Sequence, residues 1–193
     1  FTNIKLKFIS RIMNKDIFLT NSLGNKKAKF IPIDPQKIGM YVCGPTVYDN
    51  PHIGNTRPLV VFDILFNVLK RKYGTSSVSY VRTITDIDDK IINRANEEEI
   101  SSKDLANKYI ARSTEDLESL QVRSPTHMPK ATDHISEMIE IISDLIAKNH
   151  AYVAKAAPGA LAPDVYFDMM SASENFGTLK GQNIEDMAGG ARV

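Results

Sequence analysis

The sequence predicts an α/β fold built on a doubly wound parallel sheet, and three observations lead there. Residues 40–43, entered through Gly39, form a short apolar run of strand type that Gly44 and Pro45 break. Over residues 55–73 the apolar side chains Leu59, Phe62, Leu65, Phe66 and Leu69 recur at helical spacing. Val78, Tyr80 and Arg82 then alternate with Val81 and Thr83 around a second strand. Strand, turn, helix, strand is the crossover unit from which parallel sheets flanked by helices are assembled.

The first strand is expected to be buried. The helix carries Val60, Val61, Ile64 and Val68 on its remaining faces, so it too is expected to be largely buried. Pro58 is tolerable only in its first turn, and Gly74 can terminate it. Residues 85–89 punctuate the chain before a helix bearing Ile91, Ile92 and Ala95, and another helix is expected over 102–120. Pro125 and Pro129 mark a break. Ile135, Met138, Ile139, Ile142, Leu145 and Ile146 form an amphipathic stripe closed near Asn149. Residues 151–153 and 165–168 read as two strands around an Ala/Pro/Gly connection. The stretch 178–193 is loop-rich, with a short helix near Glu185, and no internal repeat is present.

A chain of 193 residues can bury a core as one large domain or two small ones. Its 24 basic and 23 acidic residues nearly cancel, so no global basic field announces nucleic acid. A single cysteine excludes an internal disulfide framework and favours a reducing compartment, the cytoplasm. No apolar run approaches the roughly 20 residues of a membrane span. Residues 1–12 carry Lys5, Lys7 and Arg11 without an acid, faintly like an organelle targeting segment; an upstream extension before Met13 is the blander reading.

The chemistry concentrates between Tyr41 and Arg57. Cys43 ends the first strand, where open α/β sheets present residues to a ligand crevice. A lone cysteine among apolar neighbours is more often a small core residue. Thiolate suits zinc, but a zinc site needs further ligands, and His127, His134 and His150 show no ligand spacing with Cys43. His52-Ile53-Gly54-Asn55 opens the long helix. There the free N–H groups and the helix dipole favour phosphate, although an exposed histidine at an ordinary helix start looks the same. Gly54 would let a nucleotide lie against the backbone. Thr85-Asp86-Ile87-Asp88-Asp89-Lys90 reads most simply as acids capping the next helix, with magnesium as the rival reading.

Together the cysteine loop, the His-Ile-Gly-Asn corner and the Thr-Asp-Ile-Asp-Asp-Lys block resemble the cysteinyl-tRNA synthetases, a class I aminoacyl-tRNA synthetase family, over about residues 18–193. The resemblance implies a class I synthetase Rossmann-like nucleotide-binding fold, a parallel sheet with flanking helices. Within it, residues 1–12 are an extension, 13–120 the first half of the catalytic domain and 121–193 part of a connective insertion. It implies zinc ligation by Cys43, substrate-cysteine contacts from Gly44, Thr46 and Thr85, and ATP contacts from His52, Gly54 and Asn55, with His52 and Asn55 catalytic. The family's second motif histidine is replaced here by Asn55, which donates but carries no charge.

The implied activity is condensation of cysteine with ATP, as its magnesium complex, to cysteinyl-adenylate. Transfer to tRNA(Cys) follows, in a cytoplasmic monomer without membrane association. A Lys-Met-Ser-Lys-Ser-like loop, later Cys, His or Glu zinc ligands and an anticodon-binding region have no counterpart in the sequence. The resemblance therefore implies an N-terminal part of a longer enzyme, inactive in isolation, whose Zn2+ takes its other ligands from elsewhere. The related cysteine ligase of mycothiol synthesis and a non-catalytic nucleotide-binding fragment are the alternatives.

Overall fold

The computed structural model describes residues 15–156, 162–172 and 177–179. The segment 1–12, the connection within 157–161 and the expected helix near Glu185 lie outside the described residues. The chain divides into two compact units, one containing residues 31–134 and the other residues 16–30 with 135 onward.

In the first unit, β3 (Ile38–Val42) and β4 (Val78–Arg82) pair in parallel, Ile38 opposite Val78 and Val42 opposite Arg82. The helix α1 (Ile53–Tyr73) makes the crossover between them. The strand pair and its connecting helix are therefore the predicted unit. Burial on β3 is one-sided: Ile38 and Val42 are buried while Tyr41 is 70% exposed. The strand also ends at Val42, leaving Cys43 just beyond it and exposed.

Two features of α1 depart from expectation. It starts at Ile53 rather than near residue 55, because His52 and Asn55 form a capping box. Pro58 therefore sits in the second turn, where its ring nitrogen cannot donate to the carbonyl four residues back. Burial is also restricted to one stripe. Leu59, Phe66 and Leu69 are buried, with Phe66 packed on Tyr80 at 5.2 Å between ring centroids, whereas Val61, Ile64 and Val68 are exposed. Gly74 ends the helix as expected, its N–H donating to Lys70 O at 3.0 Å with φ of 100°.

A third parallel segment joins β4 on its other side. His127 N donates to Tyr80 O, Arg82 N to His127 O, Ile84 N to Pro129 O and Ala131 N to Ile84 O, all within 2.9–3.0 Å. The two prolines that punctuate this stretch in sequence leave enough donors for ladder bonds, since only alternate residues face β4.

Helices α2 (Asp89–Glu97) and α3 (Ser102–Ser119) follow β4. Their Ile91, Ala95, Leu105, Ala106 and Tyr109 surround Val47 of the loop after β3. The loop that carries the chemistry is thus anchored in the core by one valine. In the second unit, β1 (Phe18–Asn21) and β2 (Lys26–Lys29) form an antiparallel hairpin, which the sequence reading does not anticipate. The helix α4 (Ile135–Ala147) ends before Asn149, whose φ is 59°. Strands β5 (Ala151–Val153) and β6 (Val165–Phe167) pair antiparallel, as the two expected strands.

Candidate functional site

The loop from Cys43 to His52 is built against the extension of β4, and each attachment is a named bond. Gly44 N donates to Thr83 Oγ1 at 3.1 Å. A β-carbon on Gly44 would lie 1.8 Å from Thr83 O, so only glycine allows the two backbones this close. Two residues on, Thr46 and Thr85 face each other as a parallel bridge, and Val47 N donates to Thr85 O at 3.2 Å. Two threonines separated by 39 positions in sequence are brought side by side at the end of the sheet. Sheet ends of this kind face the ligand crevice of open α/β folds.

The loop then closes on α2 and α3. Arg112 Nη1 donates to Asn50 Oδ1 at 3.0 Å, and Lys90 Nζ stands 5.3 Å from the ring centre of Tyr48. A small cavity of about 70 Å³ remains between loop and helices, lined by Thr46, His52, Asn55, Tyr109 and Ser113 among others. Cys43, Gly44, Gly54 and Thr85 do not line it. Tyr109 and Ser113 reach this wall only through the packing of α3, and nothing in their local sequence announces the role.

His52 is the N-cap of α1. Gly54 N donates to its Nδ1 at 3.1 Å, and Asn55 Oδ1 accepts from His52 N at 3.4 Å. With Nδ1 serving as acceptor, the neutral ring carries its proton on Nε2, which is left to donate outward. Asn55 uses its oxygen for the cap, so its NH2 group remains the donor. Gly54 has a local reason as well: a β-carbon there would stand 2.9 Å from His52 Cε1. The Nε2–H and the Asn55 amide, set at the positive end of the helix dipole, form a donor surface suited to phosphate oxygens.

The acidic block is architectural. Asp88 Oδ1 caps α2 by accepting from Lys90 N at 2.9 Å. Asp86 is buried and accepts from Thr132 N at 3.0 Å and from Thr132 Oγ1 at 2.6 Å. Among the described residues, no three His, Cys, Asp or Glu side chains gather where they could hold a metal ion. Cys43 has the right donor chemistry for zinc, but one thiol does not make a four-coordinate site, so the described residues do not form one.

Further along, Glu98 ties α2 to α3. It accepts from Lys108 Nζ at 2.6 Å and from Arg94 Nε at 2.9 Å. The Lys108 hydrogen bond, joined by Arg94, holds its carboxyl below the ordinary carboxylate range. Among the described residues, no helix is long and apolar enough to cross a membrane.

Residues 29–193 match the family described as tRNA synthetases class I (C) catalytic domain. Curated relatives carry the name cysteine–tRNA ligase. That of Pelagibacter ubique (strain HTCC1062) is 54% identical over 181 residues, covering 94% of this chain and 38% of the relative. That of Rickettsia prowazekii (strain Madrid E) is 48% identical over 177 residues, covering 92% and 37%. The chain thus spans little more than a third of the length of these relatives. Among solved structures, the LeuRS of Agrobacterium radiobacter K84 agnB2, crystallised as a ternary complex with tRNA and LeuAMS, aligns with a TM-score of 0.59. That alignment covers 75% of this chain and 23% of the other at 15% identity, a likeness of fold.

Proposed function

The chain belongs to the family of class I (C) tRNA synthetase catalytic domains, and from that premise we propose that it carries the cysteine- and ATP-binding corner of a cysteine–tRNA ligase. The observation that carries the reading is the Thr46–Thr85 bridge at the sheet end, beside a helix N-terminus capped by His52. Relatives of that name at 54% and 48% identity support the choice of amino acid.

In the proposed reaction the carboxylate of cysteine attacks the α-phosphorus of magnesium-bound ATP, and pyrophosphate leaves. A ribose hydroxyl of tRNA(Cys) then attacks the carbonyl carbon of the adenylate, losing its proton as the acyl–phosphate bond breaks and AMP leaves. Negative charge grows on the α-phosphate oxygens in the transition state, where the Nε2–H of His52 and the amide of Asn55 would donate. Gly54, whose own N–H is engaged by His52 Nδ1, would let the nucleotide lie against the start of α1 with no side chain in the way, at the positive end of the helix dipole. Gly44, Thr46 and Thr85 would line the amino-acid side. Cys43 supplies one soft donor of the kind zinc takes; a tetrahedral zinc site needs about four, and no group of candidates stands with it among the described residues. A lone thiol agrees with a reducing, cytoplasmic setting.

The test is cysteine-dependent exchange of labelled pyrophosphate into ATP by the longest natural polypeptide that contains this sequence. Exchange with cysteine and not with serine or leucine is expected. Exchange driven by another amino acid, or none, overturns the reading.

A further inference from the structure

We propose that Arg82 is a positioning residue for the loop 43–47, acting through ordered water held in a small cavity beneath that loop. The functional consequence rests on reading this loop as the amino-acid site; the structural part does not.

Arg82 is the last residue of β4 and is only 8% exposed, although its guanidinium is always charged. Nη2 donates to Met128 Sδ at 3.5 Å, a weak acceptor, and Nη1 finds no hydrogen-bond partner. A donor left unmade inside a protein keeps its desolvation cost without a partner, so native structures satisfy it, commonly with water. Arg82 is one of the residues lining a cavity of about 40 Å³ whose wall also includes Pro45, Val47, Ser113, Thr114 and Met128, the last being the partner of Nη2. A water needs roughly 10–15 Å³ of such space and two to four polar partners. Ser113 and Thr114, each with a hydroxyl, line the same cavity and are the polar partners such a water would take besides Arg82. Thr114 already donates to Ile110 O at 2.8 Å, which leaves its lone pairs to accept.

The charge balance selects neutral water over an anion. Asp63 is buried too, its carboxylate accepting from Arg123 N at 3.2 Å and Asn67 Nδ2 at 3.0 Å. Tyr80 registers both charges: burial raises its hydroxyl pKa, the charge and close approach of Arg82 oppose the rise, and Asp63 adds to it. The first unit thus already buries one carboxylate to set against the Arg82 cation.

The coupling to the loop is steric. Val42 is the register partner of Arg82, and Arg82 Cγ lies 3.8 Å from where a β-carbon on Gly44 would stand. Pro45 and Val47 of the loop line the same cavity as Arg82. Remove the guanidinium and its water, and the loop segment bearing Cys43, Gly44 and Thr46 loses its floor.

Hydrogen exchange on the 193-residue chain tests this without reference to activity. In Arg82→Met the amides of Gly44 and Val47 should exchange about tenfold faster or more, while those of Leu105 and Tyr109 in α3 stay within about twofold. Arg82→Lys, which keeps a charge able to hold water, should stay within about threefold at all four positions. Unchanged exchange at Gly44 and Val47, or equal acceleration in α3, overturns the proposal. Should Arg82→Met not fold, Ser113→Val fills the cavity and leaves the charge intact; it should also speed exchange at Val47, and no effect there counts against the water. A crystal structure should place ordered water within about 3.2 Å of Nη1. An empty cavity, or a bromide peak after soaking, defeats that assignment. In the natural polypeptide, Arg82→Met should raise the KM for cysteine about tenfold with the KM for ATP within about twofold. Absence of exchange in the unmodified protein sinks the functional reading alone, and a lower kcat with unchanged KM returns Arg82 to a structural role.

Discussion

At the residue scale, two positions combine a structural demand with the proposed chemistry, and substitutions separate the two. Gly44→Ala would drive a methyl group into the carbonyl of Thr83, a backbone atom that cannot rotate away. The expected cost is about 3 kcal/mol or more, read as a lowered midpoint in urea unfolding. A midpoint unchanged by this substitution means the loop and β4 do not approach so closely. His52→Ala removes a helix cap worth about 1 kcal/mol and, in an active protein, a donor whose loss slows adenylate formation about a hundredfold or more. His52→Asn keeps a capping side chain, so it should recover the stability and leave the rate low. Comparing both variants in unfolding and pyrophosphate exchange makes the check, and recovery of both by asparagine would reduce His52 to a cap. Cys43, Gly44, Thr46, His52, Gly54, Asn55 and Thr85 all stand out in the sequence because their types are unusual in that order. Thr83, Arg82 and Ser113 do not, since a threonine, an arginine in a strand and a serine in a helix say nothing until packing assigns their neighbours.

At the element scale, α2 and α3 are held together by apolar packing around Ile91, Leu105 and Tyr109 and by the Glu98 cluster at one end. The Glu98 carboxyl titrates below its usual value near 4.5, chiefly because Lys108 donates to it. A depressed folded-state pKa means the contribution is present above that ordinary value and is lost as pH falls through the lower native one. Urea unfolding followed by circular dichroism should therefore find Glu98→Gln and Lys108→Met slightly less stable than the parent near pH 7, a small gap for so accessible a pair, closing as pH falls below the native value. No gap at pH 7, or one that persists unchanged into acid, would mean that Glu98 does not tie the helices. Element types were legible wherever periodicity was strong, as in α1, α3 and α4. Boundaries were less so: the start of α1 depends on a capping box, and the strand-like segment 126–131 is hidden by prolines whose missing N–H groups prove harmless in that register.

For the whole molecule, every buried apolar residue among those described lies between Ile38 and Val122, within the first unit. In the second unit, α4 buries none of its residues. Native-state hydrogen exchange should accordingly show the strongest protection in β3, β4, α1 and α3, with α4, β5 and β6 exchanging at least about tenfold faster. Uniform protection across both sets would mean that the apolar stripe of α4 is covered in solution. By itself the sequence determined the parallel crossover, the amphipathic helices and the family, because apolar period, glycine and proline placement and short motifs are local properties of the chain. Only the tertiary structure decided that Thr46 meets Thr85, that Gly44 touches the backbone after β4, and that a buried arginine lies under the loop. Those relations join residues roughly forty positions apart, and their partners are selected by close packing and hydrogen-bond satisfaction in three dimensions.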